Sequence, residues 1–552
     1  MTDYSNYIYK IGNIYNLALC IAKLTNKTKK GVIHMTGIER NDTQYISDVI
    51  NVEEIEKKWV KEQPILINAT TGSGKTYFTL NVLGQYCKDK GKKLIILTNR
   101  DILKKQVKNV VPKELKEYIK IKTYQSVSNA ILYGGSFYYN NVDTTIENIF
   151  NDYDFIVCDE CHYFFTDSTF NYETDVALQA VLEAKNSIKV FLSATSTIFE
   201  KYIRDFSIQK QSVMPLIYRV GKNLQYNNLY YYKDNDTIVS LLRNLPKNEK
   251  VIMFCKTIAE AYNNYLTFPK DSAFICSKYN KNSFAKYSNN VIQKEIEQDS
   301  KFSTRILFTT KALDNGVNII DKDVKHIICD INDFDTVQQC IGRKRFVDSE
   351  DKINLYIKKV PKNHLYGKIN MLNNIIKIVQ DFKAMDVKEF ATKYGRYGMN
   401  GIVYSYVNND NNLVYKLNST LNYKINVDFS ETRQMLNTKD EKYPNIRFIA
   451  ERLGIPYNEF QDLEKVLDVG TFNGYMNKIV GVKLFEEEKK AFIDFLQRTA
   501  ISLVNKKKTL GLSKIGHVYR NIDGKYLPEM LENLKAFTPI WSVSRNKVKD
   551  SK

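Results

Sequence analysis

A chain of 552 residues is too long for one hydrophobic core, and its 43% hydrophobic and 26% charged residues describe a folded chain of several domains. No stretch approaches the roughly 18 to 20 consecutive apolar residues that a membrane-spanning helix requires, so no bilayer crossing is expected. Lys and Arg outnumber Asp and Glu by 81 to 62, a net charge of +19, which fits either a solvated basic surface or a polyanionic partner whose phosphates release counterions on binding.

In chain order, the N-terminus MTDYSNYIYKIGNIYNLALCIAKL has no basic leader and no small-residue cleavage site after its apolar run, which predicts a cytoplasmic chain. Short apolar runs then recur with room for a helix between neighbours, the rhythm of a parallel sheet covered on both faces. The first set is ILINA (65–69), LIILTN (94–99), IKIKTY (119–124), DFIVCD (154–159) and IKVFLSAT (188–195). The second is NLYYYK (228–233), VIMFC (251–255), SAFICS (272–277), RILFTT (305–310), HIICD (326–330) and NLYIKKV (354–360). Two α/β domains are expected, meeting between Ser212 and Gly221. Beyond Pro361 the spacing turns helical, with Asn-rich turns at 408–412 and amphipathic stretches such as IRFIAERLGI and LPEMLENLKAF. The predicted organisation is an N-terminal extension (1–50), a first α/β domain (51–215), a second (216–361) and a mostly helical, basic accessory region (362–552).

ATTGSGKT, Ala69 to Thr76, leaves the first strand and satisfies a phosphate-loop pattern. Gly72 and Gly74 let the backbone N–H groups of Thr71 to Thr76 curl around phosphate oxygens at a helix N-terminus; Ser73 lies within that cradle. Lys75 would reach the β and γ phosphates of ATP, and the Thr76 hydroxyl would take Mg²⁺. Such a site needs one carboxylate on a neighbouring strand end for the metal and another to orient the attacking water. Asp159 and Glu160 end an apolar strand, and strand alternation aims them differently, which makes Asp159 the metal ligand and Glu160 the general base. Cys158 and Cys161 bracket these acids with the spacing of a zinc or redox pair. No second Cys or Cys/His pair lies nearby, so they are read as apolar filler. The histidines at 34, 326, 364 and 517 have no metal-ligand spacing.

With these residues the chain resembles the superfamily 2 helicases of the DExH type, and further motifs follow in that family's order. TNRDILKKQ (98–106) looks like motif Ia, TYQS (123–126) like Ib, SAT (193–195) like III, FTTKALDNGVNI (308–319) like V and QCIGRKR (339–345) like VI. The resemblance covers roughly Gln63 to Phe346 and implies two tandem RecA-like parallel-sheet domains, followed by a mostly helical C-terminal region. It implies Arg100 and Thr310 as nucleic-acid phosphate contacts, Gly316 as a point of close backbone approach, and Asn318 as a ribose contact or a coupling residue between the domains. Gln339 is expected to meet His162 or the bound water. Arg343 and Arg345, placed on a helix after HIICD, would stabilise charge on the transferring phosphoryl group from the facing domain. The commoner spelling puts the second arginine at position 346, where this chain has Phe346; Q-x-x-G-R-x-R resembles the branch with Dicer helicase domains and innate RNA sensors. Gln44 is either an adenine contact or a cap residue before a helix, and Tyr124 either stacks a base or belongs to the core.

The expected function is an ATP-dependent nucleic-acid motor, with DNA favoured over RNA. Its alternatives are the motor subunit of a restriction or defence system and an ATP-switched sensor that unwinds nothing. The basic C-terminal stretch VNKKKTLGLSKIGHVYR (504–520) would line the nucleic-acid channel or dock a protein partner.

Overall fold

The computed structural model describes residues 45–467 and residue 492, apart from the internal positions 71, 100–110, 134–147, 170, 222–223, 278–282, 311–312, 314–317, 332, 396–398, 408–411 and 439–442. Gln44, Thr71, Arg100, Gly316 and the basic stretch 504–520 lie outside the described residues.

Six strands form the first sheet: β1 (Pro64–Ala69), β2 (Leu94–Thr98), β3 (Ile119–Thr123), β4 (Phe155–Asp159), β5 (Ile188–Ser193) and β6 (Leu216–Val220). They lie in the order β3-β2-β4-β5-β1-β6, every neighbouring pair parallel. Strand alternation sends Leu66, Ile95, Ile156, Cys158 and Phe191 to one face, and Ile65, Ile96, Phe155, Val157 and Val190 to the other. Both faces are therefore dry, which is why these strands read as continuous apolar runs. β6 falls within the expected junction and pairs with β1, so the first sheet runs to Val220, beyond the boundary drawn at 215. Its sequence, LIYRV, offers no uninterrupted apolar run, because Arg219 reaches out to the Glu200 carboxylate at 2.8 Å.

The second sheet has seven strands. β7 (Tyr226–Tyr232), β8 (Lys250–Phe254), β9 (Ser272–Phe274), β10 (Ile306–Thr309), β11 (Val324–Cys329) and β12 (Ile353–Lys358) follow in the chain, and a late strand, β15 (Phe460–Asp462), joins the edge beside β7. The order is β15-β7-β12-β11-β8-β10-β9, again parallel throughout. The chain is thus an α/β protein with two tandem RecA-like domains.

Between β12 and β15 lie the helices Lys362–Ala384, Val387–Tyr394, Ser419–Asn437 and Pro444–Leu453, with an antiparallel hairpin of β13 (Val403–Val407) and β14 (Leu413–Leu417). The hairpin and β15 add strands to a region expected to be mostly helical. Leu372, Ile378, Phe390, Ile402, Leu421 and Ile425 give this region a core of its own. It is also fastened to both domains. Val427 enters the first domain's core, and Tyr423 packs on Phe165 and Tyr202 while its hydroxyl donates to Asp205. Ile446, Ile449 and Ala450 of the next helix enter the second domain's core.

Candidate nucleotide site between the two domains

The parallel order sets the first half of the site. β5 runs between β4 and β1, so the phosphate loop after β1, the acids ending β4 and the Ser193–Thr195 segment after β5 share one sheet edge. Gly72 and Gly74 stand at φ +92° and +82°, left-handed values that let the loop turn its N–H groups inward. Ser73 is buried, and both its N–H and its hydroxyl donate to the Thr70 carbonyl, at 3.2 and 2.6 Å. The helix beginning at Lys75 passes into a π-helical stretch, Phe78–Gly84, a widening of the coil that recurs beside functional sites. Thr76 is exposed at that helix start. Tyr45, not singled out from the sequence, lies against the same loop: a Cβ on Gly74 would sit 3.6 Å from its ring, and Ile46 N donates to Ser73 O at 2.9 Å.

Lys75 Nζ donates to Ala69 O at 3.2 Å and stands 3.9 Å from Glu160 Oε1. Glu160 occupies φ +52°, a strained conformation for a residue with a Cβ, and this turn separates its carboxylate from that of Asp159. Burial and the neighbouring Glu160 charge push Asp159 up to about 6, against the pull of Lys75. Burial also opposes ionisation of Glu160, but Lys75, His162 and Arg343 outweigh it and hold that carboxyl well below the usual range. Two adjacent acids thus divide into one that stays ionised and one that takes a proton readily unless a cation neutralises it. The donor set fits a divalent metal on that ground: at Asp159 burial and the Glu160 charge outweigh the pull of Lys75, so a bound cation would stabilise its ionised form. Among the described residues no cluster of three or more His, Cys, Asp or Glu has metal-holding geometry, and Cys158 and Cys161 are buried free thiols in the first core.

The second half of the site comes from the facing domain. His162 Nδ1 lies 3.0 Å from Ser193 Oγ and 3.3 Å from Glu160 Oε2. Ser193 Oγ accepts from Thr195 N at 3.0 Å, and Thr195 Oγ1 accepts from Gln339 Nε2 at 3.2 Å. Gln339 therefore connects to His162, and through it to Glu160, by way of Thr195 and Ser193. Its neighbour Gln338, also not singled out, donates to Ala194 O at 3.3 Å.

Arg343 and Arg345 are not helical. The helix Phe334–Ile341 ends at Gly342, Arg343 lies in the turn that follows, and Lys344, between the two arginines, forms a bridge with Ile319. Arg345 Nε donates to Asn318 Oδ1 at 2.9 Å, and a Cβ on Gly72 would lie 3.8 Å from Arg345 Nη1. Burial and the adjacent Arg343 charge lower Arg345 to about 10, while Glu160 opposes the shift. Asn318 is thereby a partner of the arginine. Thr310, ending β10, is buried. Tyr124 is buried too, stacked on Tyr163 at 5.1 Å, with its hydroxyl donating to Asp159 O at 2.8 Å, which settles it in the core.

The glycine turn with Lys75, the two carboxylates and two arginines from a second parallel-sheet domain thus lie together, which makes this the candidate nucleotide site. Residues 39–198 match the family model described as type III restriction enzyme, res subunit. No curated protein sequence matches it. Solved structures similar to it include the DUF1998 helicase MrfA bound to DNA and AMPPNP, at 14% identity and TM-score 0.36 over 55% of this chain and 47% of that one. The chain thus spans about half of MrfA's length. A DEAD box protein from the hyperthermophile Methanococcus jannaschii is 16% identical, TM-score 0.32, over 55% and 83% of the two chains. S. cerevisiae Dbp5 bound to RNA and ADP BeF3 is 15% identical, TM-score 0.35, over 53% and 78%.

Proposed function

We propose that this chain is a DExH-type ATP hydrolase that couples turnover between its two RecA-like domains to movement on, or opening of, a nucleic acid. The observation that carries this reading is the convergence of Lys75, Glu160, Arg343 and Arg345 on one cleft from two separately folded domains. A site completed only when both domains meet couples its chemistry to their relative position.

In this reading the N–H groups of residues 71–76 cradle the phosphates and Lys75 holds the β and γ oxygens. Thr76 and Asp159 would hold Mg²⁺, which when bound neutralises charge on the bridging phosphates. Glu160, kept ionised by Lys75 and His162, accepts a proton from the attacking water. Arg343 and Arg345 stabilise the charge that spreads over the transferring phosphoryl group. Gln44 and Tyr45 flank the adenine side. Arg100 and Thr310 contact strand phosphates, and Gly316 lets the backbone come close.

Domain roles follow as extension (1–50), first motor domain, second motor domain and accessory region (362–552), the last closing the track or docking a partner. The +19 charge supports a polyanionic partner, with DNA favoured. The match of 39–198 to a restriction-enzyme res subunit favours a second reading, a translocating motor that serves a partner nuclease.

The test is ATPase rate with single- and double-stranded DNA and RNA at fixed salt, followed by strand displacement. Stimulation with displacement supports the unwinding reading, and stimulation without displacement supports translocation or switching. Absence of ATP turnover under every condition refutes the proposal.

A further inference from the structure

Between the two cleft arginines sits Lys344, and its side chain points the other way. Arg343 lies in the turn that closes the helix Phe334–Ile341, its N–H donating to Cys340 O at 3.2 Å, and Lys344 then forms a bridge with Ile319: Ile319 N donates to Arg343 O at 2.8 Å and Arg345 N to Ile319 O at 2.9 Å. Arg343 and Arg345 both lie close enough to the Glu160 carboxylate to feel its charge, and Arg345 Nη1 would stand 3.8 Å from a Cβ on Gly72, while Lys344 between them points into the domain. There its ammonium is buried against the Asp351 carboxylate, both side chains fully shielded from solvent. Lys344 Nζ also donates to Arg345 O at 3.2 Å, and the same Asp351 oxygen accepts Val347 N at 3.1 Å. One carboxylate therefore ties down the backbone on both sides of Arg345. Asp351 is itself held in a turn, its N–H donating to Asp348 Oδ1 at 3.0 Å.

A buried ion pair seldom stabilises a fold better than an apolar pair of the same volume, because each ion loses its hydration. What a charged, hydrogen-bonded pair supplies and an apolar pair does not is direction and register. We propose that the Lys344–Asp351 pair is a positioning device for the cleft arginines: it holds 343–345 in the one register that aims Arg343 and Arg345 at the phosphate loop and leaves Arg345 over Asn318. Lys344 and Asp351 touch no nucleotide and act through the two arginines. The catalytic part of this inference rests on the ATPase reading above; the register part does not.

The experiment compares wild type with Lys344→Met, Asp351→Asn and the double variant Lys344→Met/Asp351→Leu. The double variant guards against misfolding, since it leaves no unpaired buried charge. Hydrogen exchange, without nucleotide, on peptides covering Ile319 and Arg345 reads the register directly. Protection there is expected to fall about 10-fold or more in the double variant, with core strand peptides unchanged. In ATP turnover, kcat is expected to fall about 10-fold or more with KM within about 3-fold, the pattern of a lost transition-state interaction. Adding Arg343→Ala to the double variant should cost at least about 10-fold less than the same substitution costs in wild type, because the arginine is already partly misplaced. A folded double variant with wild-type exchange at Ile319 and Arg345 overturns the register claim. Wild-type kcat, or a full additional loss from Arg343→Ala, overturns the catalytic claim. If the wild-type protein turns over no ATP, the ATPase reading fails by itself, and the exchange measurement alone decides whether the pair holds the segment.

Discussion

Glu160 at φ +52° shows how much of the site is decided by single residues. Its left-handed turn costs on the order of 1 kcal/mol or more for a residue with a Cβ, and that strain is tolerated where it directs the carboxylate to Lys75 and His162. Glu160→Gln keeps the side chain's shape and removes its basicity, so nucleotide binding should persist while turnover falls about 100-fold or more, measured by fluorescent-nucleotide titration beside phosphate release. Lys75→Ala should lose both. Arg343→Ala should lower kcat about 1000-fold and leave nucleotide affinity within about 3-fold; an unchanged rate would mean that the second domain does not complete the site. At this scale the sequence was informative wherever the chemistry is contiguous: ATTGSGKT and DECH each carry their partners within a few residues. Ser193 and Thr195 were carried by the SAT run, but Gln338 and Asp351 were not legible beside the site, because their partners lie along distant or unremarkable stretches and an ordinary Gln or Asp carries no sign of them.

Among the elements, the helix Phe334–Ile341 joins the cleft to the accessory region. Asp333 caps its N-terminus, accepting Thr336 N at 3.0 Å. Asp335, one turn in, is buried among Asp333, Lys424, Arg452 and Glu431, and burial together with the Asp333 charge pushes it up to about 7. Its folded value lies above the unfolded value near 3.9, so between about pH 4 and pH 7 the folded state binds more protons than the unfolded one, and stability falls as pH rises. Asp335→Asn should therefore stabilise the fold at pH 8 by on the order of 2 kcal/mol, seen as a higher melting temperature, and change little at pH 4.5. Thermal melts across that range check it. On the other side of the accessory region, Tyr423→Ala removes the packing on Phe165 and Tyr202 and a hydrogen bond to Asp205. It should cost about 2 to 3 kcal/mol in chemical unfolding, and more of that loss should appear in the accessory region than in the sheets. The eleven strands read from apolar runs all form, because parallel strands buried on both faces must be apolar throughout. β6, β13, β14 and β15 escaped that reading. β6 is interrupted by Arg219, the hairpin is half exposed, and β15 is three residues long and exists by pairing with β7.

The whole molecule is two sheets bridged by one accessory region. Helix Ser419–Asn437 offers Val427 and Tyr423 to the first domain, and Lys424 faces Asp333 and Asp335 of the second. Relative motion of the domains therefore passes through this helix as well as through the cleft. At this scale the net charge of +19 makes a further prediction for the proposed motor. Nucleic-acid stimulation of turnover should weaken with added salt along a straight line in log–log form, and basal turnover should not. A salt-independent stimulation constant would show that the phosphates are not what this chain holds.

The amino-acid sequence by itself determined the two parallel sheets, their order along the chain and the glycine turn after the first strand, since each depends on local pattern: burial period and glycine freedom. The tertiary structure alone decided that β6 belongs to the first sheet, that Gln339 connects to His162 through Thr195 and Ser193, and that Arg343 and Arg345 both lie close to Glu160. The physical reason is the same in each case. Those relations are set by which strands are neighbours and by the turn and bridge that pin residues 343–345 to Ile319, and neither is written in any contiguous run of residues.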